Sequence, residues 1–179
     1  MQNWKDLYKE LCTLISEKIP AVKWIDLWHN QVSFLENEHP FPTPAVFLSF
    51  RAFKTTDTGE KVQQVRLQLD TYIFYETFAD TYKDSWNQDD ALGFLDLLND
   101  VYAALHGSSG TNYSEMRRIG FAPVDTGSAG NLYQQIFECV LVDYAAAKNY
   151  VDVEINDVQL MKGTKPEEEE GENLFIIPG

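Results

Sequence analysis

The stretch VRLQLDTYIFY, residues 65–75, decides the fold class. Val65, Leu67, Leu69, Thr71 and Ile73 alternate with Arg66, Gln68, Asp70, Tyr72 and Phe74. A period of two is that of a β-strand, so the first set faces a core and the second an amphipathic surface. Upstream, AVFLSFRAF (45–53) is almost continuously apolar and predicts an interior strand, with a turn at Asp57-Thr58-Gly59 between the two. Downstream, MRRIGFAPV (116–124) and LYQQIFECVLVDYA (132–145) read as two further strands. The last carries apolar residues on both faces and belongs centrally in a sheet.

Two helices complete the pattern. Trp4, Leu7, Tyr8, Leu11, Leu14 and Ile15 form one apolar stripe, so a helix is expected over 4–18, with Asn3 as cap and Pro20 as its end. Ala91, Phe94, Leu95, Leu98, Val101, Tyr102 and Leu105 do the same over 88–105, with Asn87 as N-cap and Gly107 as a left-handed C-cap. KWIDLW (23–28) and QVSFL (31–35) are expected to form a hairpin turning at His29-Asn30, followed by the rigid connector EHPFPTP (38–44). YVDVEINDVQL (150–160) alternates as a further edge strand would. Strands come in runs rather than in βαβ order, so the class is α+β: an antiparallel or mixed sheet with two main helices on one face.

Composition bounds the rest. The 179 residues are 44% apolar and 13% aromatic, enough for a core. The domain expected is 1–162, followed by an extension, 163–179, in which KGTKPEEEEGE gives way to the apolar NLFIIPG. The net charge of −14, from 28 acidic and 14 basic residues, argues against specific nucleic-acid binding unless the basic residues cluster. Along the chain they do not, the densest group being Arg117-Arg118. Cys12 and Cys139 lie far apart in apolar contexts and read as buried reduced thiols. The N-terminal stretch reads as a helix rather than a signal peptide, and no apolar run has the ~18 residues of a membrane span.

The candidate chemistry is thin. Asp125-Thr126-Gly127-Ser128 matches the active-site turn of an aspartic protease, which needs two carboxylates sharing a proton and so a homodimer. FAPV precedes it, and FECVLVDYA supplies no glycine where that fold needs one. The same residues reverse a chain between strands, and a turn is expected. His29, His39 and His106 stand apart from one another and from the cysteines, and no metal or cofactor site is expected. The loop GSSGTNYS (107–114) has no lysine and no preceding strand, so it is read as a connector. Trp24, Trp28 and Trp86 are expected in core or interface.

The run VQQVRLQLDTYIFYETFADTY (62–82) leading to ALHG (104–107), and on to LYQQIFECVLVDYA, resembles the tail-terminator and tail-completion proteins of long-tailed bacteriophages. The resemblance covers about half of the chain. It implies a non-enzymatic α+β subunit that closes into a ring, commonly a hexamer, between the tail tube and the head-side connector. It also implies assembly in the bacterial cytoplasm and a place in the virion tail. The WIDLW…QVSFL segment and the charged C-terminal extension depart from the family pattern. Interface residues expected on this reading are Arg117, Arg118, Leu174, Phe175, Ile176 and Ile177. The apolar end is placed either on its own domain or on a neighbour. A small binding or adaptor domain is the alternative function.

Overall fold

The computed structural model describes residues 4–34, 40–77, 79–125 and 130–148. In chain order these form α1 (Trp4–Lys18), β1 (Trp24–Leu27), a 3₁₀ turn (Gln31–Phe34), β2 (Ala45–Gly59), β3 (Val62–Tyr75), α2 (Gln88–Leu105), β4 (Arg117–Pro123) and β5 (Asn131–Asp143). The sheet order is β1-β2-β3-β5-β4. β1 lies parallel to β2, and every other pair is antiparallel. The fold is therefore α+β with a mixed sheet. The expected strand at 150–160 and the expected domain limit at 162 lie outside the described residues.

The period-two reading of β3 is realised. Val65, Leu67, Leu69 and Ile73 join Val46 and Leu48 of β2, and Phe137, Cys139 and Leu141 of β5, beneath both helices. From α1 come Leu7, Leu11 and Ile15; from α2 come Phe94, Leu97, Leu98, Val101 and Leu105. The opposite face has a smaller core, where Ala45, Phe47, Phe74 and Leu132 meet Val32, with Trp28 and Phe41 packed against them.

Three local expectations are corrected. The segment after β1 does not return as a hairpin. Gln31 intervenes: its Oε1 accepts from the His29 backbone N–H at 3.0 Å and its Nε2 donates to the Leu27 carbonyl at 3.0 Å, so its side chain takes partners a second strand would have taken. Val32 is then buried in the smaller core, and β1 pairs with β2 instead. The β2–β3 turn falls at Glu60-Lys61, with β2 running through Gly59 and Lys61 taking a positive φ of 60°. Asn87 occupies the N-cap position of α2 as expected, but its side chain makes no capping bond. Its Oδ1 accepts from the Asp80 N–H (3.3 Å) and the Ser85 hydroxyl (3.2 Å), tying down the preceding loop. Gly107, at φ 77°, does terminate α2 in the left-handed conformation.

Candidate assembly surfaces

β4 is an edge strand, and its pleat separates the two arginines expected at an interface. Arg118 points to the helix side. Its guanidinium lies 3.7 Å from the centre of the Tyr102 ring of α2 and 5.9 Å from that of Phe121. Its backbone N–H donates to His106 Nδ1 at 3.1 Å, which leaves the ring proton of a neutral His106 on Nε2. Beyond it an aromatic ladder crosses the sheet edge: Phe121 stacks on Tyr133 at 5.4 Å, and Tyr133 on Phe94 at 5.6 Å. A bulge between Arg118 and Gly120 turns Ile119 outward. Ile119 and Phe121 are each 50% exposed. The outer backbone edge of β4 pairs with no strand among the described residues.

The other sheet edge is also partly open. β1 covers only residues 45–48 of β2, and residues 49–59 have no partner on that side among the described residues. The two open edges thus lie at opposite ends of one strand order.

Arg117 points to the face away from the helices, where it pairs with Glu138 at 3.7 Å. The register places it at the end of a cross-strand row, Arg51–Gln68–Glu138–Arg117, beside the row Lys54–Arg66–Val140. Arg51, Lys54, Arg66 and Arg117 are all exposed. A bulge brings Phe53 out beside them, and Phe53, Arg66, Arg117 and Glu138 line a recess of about 310 Å³. Basic residues that do not cluster along the chain are thus brought together by the sheet. The chain has four arginines, and the sheet gathers Arg51, Arg66 and Arg117 on one surface. Scanning for runs misses this, because cross-strand neighbours are far apart in sequence. The available signal was that Arg66 falls on the outer set of the β3 alternation.

The remaining candidates resolve simply. Asp125 is exposed and follows β4 on the way to β5, between two antiparallel neighbours, as a turn requires; Thr126, Gly127 and Ser128 lie outside the described residues. Leu174, Phe175, Ile176, Ile177 and His39 also lie outside them. Among the described residues, no three His, Cys, Asp or Glu side chains are placed so that they could hold a metal ion. Trp28 stacks on Tyr72 at 4.0 Å, whereas Trp86 is 90% exposed rather than buried in the core. Cys139 is buried, and desolvation pushes its thiol up to about 12. Cys12 is only half-buried, and desolvation raises its thiol as well. Both thiols are therefore poor nucleophiles at neutral pH. No described helix is long and apolar enough to cross a membrane.

Compared with known proteins, the chain matches no family model and no curated protein sequence.

Proposed function

We propose that this chain is a structural subunit that closes into a ring, acting as a tail-completion or tail-terminator protein of a long-tailed phage or prophage. The observation that supports it is that, among the described residues, residues 49–59 of β2 and the whole of β4 have no strand on their outer sides, at opposite ends of one sheet. A head-to-tail contact uses two different surfaces of each copy, and it makes a ring when the rotation between copies closes. An open strand edge offers unpaired N–H and C=O groups to such a neighbour, and the exposed Ile119 and Phe121 add apolar area at that edge. The twist of each sheet supplies a rotation of constant hand from copy to copy.

On this reading the partners are further copies of the chain, with the tail tube below and the head-side connector above. The net charge of −14 suits a passage along which DNA must slide without adhering. The subunit would act in the bacterial cytoplasm during assembly and afterwards in the virion tail.

Mass photometry across a concentration series, with and without isolated tail tubes, tests the proposal. The parent chain should form one closed species of defined stoichiometry. Ile119→Asp, which places a charge on the β4 edge, should prevent closure while leaving the monomer's melting temperature within about 2 °C of the parent, as exposed substitutions generally do. A parent chain that stays monomeric under both conditions, or an Ile119→Asp chain that closes like the parent, overturns it.

A further inference from the structure

The surface around Arg51, Lys54, Arg66 and Arg117 is only partly neutralised by the described residues. Among the described residues, Arg117 alone of the four makes an ion pair, to Glu138. Asp70, the next carboxylate along the same face of β3, is 5% exposed and accepts from the Gln68 amide at 2.8 Å. Four exposed cations therefore face two accessible carboxylates, Glu138 and Glu115, on a chain whose net charge is −14. Such a local inversion of sign marks a surface for an anionic partner.

The sequence contains a matching anion. Residues 167–172 read EEEEGE, five carboxylates in six positions. We propose that this glutamate-rich stretch of one copy docks on the Arg51–Arg66–Arg117 surface of a second copy. A planar guanidinium takes a carboxylate through two parallel N–H···O bonds, so arginines suit this ligand better than lysines would. Eighteen residues, 149–166, lie between Lys148, where the described body ends, and Glu167. Fully extended they span at most about 65 Å, enough to reach an adjacent subunit. Once copies are neighbours, tethering raises the effective concentration of the stretch into a range where weak charge pairs suffice. Duplex DNA is less well served. It would gain few phosphate contacts here and would meet the repulsion of the whole chain. Phe53, which is 47% exposed beside Arg66, gives the docked segment an apolar contact.

The inference rests on the assembly reading only in needing a second copy. A charge exchange between full-length chains tests it. One variant carries Arg66→Glu and Arg117→Glu; the other carries Glu167→Lys, Glu168→Lys, Glu169→Lys and Glu170→Lys. Analytical ultracentrifugation at low salt should show each variant alone associating at least about tenfold more weakly than the parent, as loss of several complementary charge pairs entails. An equimolar mixture should recover association, because the intact acidic stretch of the first fits the intact arginines of the second and the reversed groups fit each other. Thermal melts confirm that both variants are folded. Association unchanged in either variant, a mixture no better than its components, or a labelled DNA duplex that binds the parent and is not displaced by a peptide of residues 163–179 would overturn the proposal. If the exchange fails while Ile119→Asp still abolishes closure, only the docking falls. If the exchange succeeds while Ile119→Asp has no effect, the edge-pairing reading falls instead.

Discussion

Glu10 of α1 holds Asn112 of the loop after α2 with a single carboxylate oxygen: Oε2 accepts from the Asn112 backbone N–H at 3.0 Å and from its Nδ2 at 2.7 Å. Oε1 accepts from the Thr111 N–H at 2.6 Å. One side chain thus satisfies two backbone donors that lie about a hundred positions away, and it fixes the loop that delivers the chain from α2 to β4. The loop comes so close that a Cβ at Gly110 would collide with Oε1 and with the Tyr113 ring.

Glu10→Ala is therefore expected to destabilise the fold by about 1–2 kcal/mol, the range for bonds to a charged but partly solvated group. Gly110→Ala should also destabilise, since its methyl displaces the carboxylate. The two effects should be less than additive, because each breaks the same clamp. Urea titration of the parent, both single variants and the double variant measures this. Strict additivity would show that the two substitutions do not act through the same clamp.

Leu98 sits in the middle of α2 at 5% exposure, above the sheet and among the residues of the larger core. Leu98→Ala should cost about 2–5 kcal/mol, combining lost transfer energy with the cavity left behind. Melting indistinguishable from the parent would mean that the helix face is wrongly assigned.

Next to it lies a polar pair. Thr71 and Gln135 are cross-strand partners, both fully buried beneath α2. Gln135 Nε2 donates to the Leu98 carbonyl at 2.7 Å, pinning the helix to the sheet. Gln135 Oε1 and Thr71 Oγ1 have no partner among the described residues. A buried hydroxyl without a partner destabilises, so Thr71→Val should raise stability by about 1 kcal/mol, whereas Gln135→Leu, which also removes the bond to α2, should not. Chemical denaturation of the two variants separates these outcomes; a destabilised Thr71→Val chain would show that the hydroxyl is satisfied in solution.

The class of the fold was legible because its signals are local. The alternation in β3 and the stripes at Leu7-Leu11-Ile15 and Phe94-Leu98-Val101 each report burial within one element, and both helices run over the residues those stripes predicted. What failed depended on a single side chain choosing its partner, as with Gln31 after β1 and Asn87 before α2. The arginine surface was hidden for another reason. Arg51, Arg66 and Arg117 become neighbours only through the pairing of β2, β3, β5 and β4, and no window along the chain contains all three. Arg117 and Arg118, adjacent in sequence and expected together at an interface, end on opposite faces of the sheet.

Stability should fall in alkali. Desolvation raises the Cys139 thiol to about 12 from an ordinary 9.0, and it raises Cys12, Tyr72 and Tyr113 as well. Between the unfolded and folded pKa values the native state holds more protons than the unfolded chain, so the free energy of unfolding decreases as pH rises. The contribution of Cys139 is complete below pH 9 and disappears as pH approaches 12. Unfolding measured from pH 8 to 11 should show a shallower decline for Cys139→Ala than for the parent, whatever the offset between the curves. Parallel slopes would show that the thiol titrates normally in the folded protein.

Arg118 gives the most specific test of the β4 edge. Its guanidinium lies over Tyr102 at 3.7 Å, and the Tyr102 ring is itself 4.8 Å from that of His106. The contact is electrostatic attraction to the ring face, and it joins the edge strand to α2. Arg118→Lys keeps the charge and loses the plane; Tyr102→Leu keeps apolar bulk and loses the ring quadrupole. A double-mutant cycle on Arg118→Ala and Tyr102→Leu should give a coupling of about 0.5–1 kcal/mol, the range for a partly exposed cation–π pair. Arg118→Lys should recover only part of it. If the edge is an intermolecular contact, both single variants should also lower the population of the closed species, because a loosened β4 no longer presents a fixed row of donors and acceptors to a neighbour. Zero coupling would reduce Arg118 to a solvated surface charge and remove this side-chain link between β4 and α2.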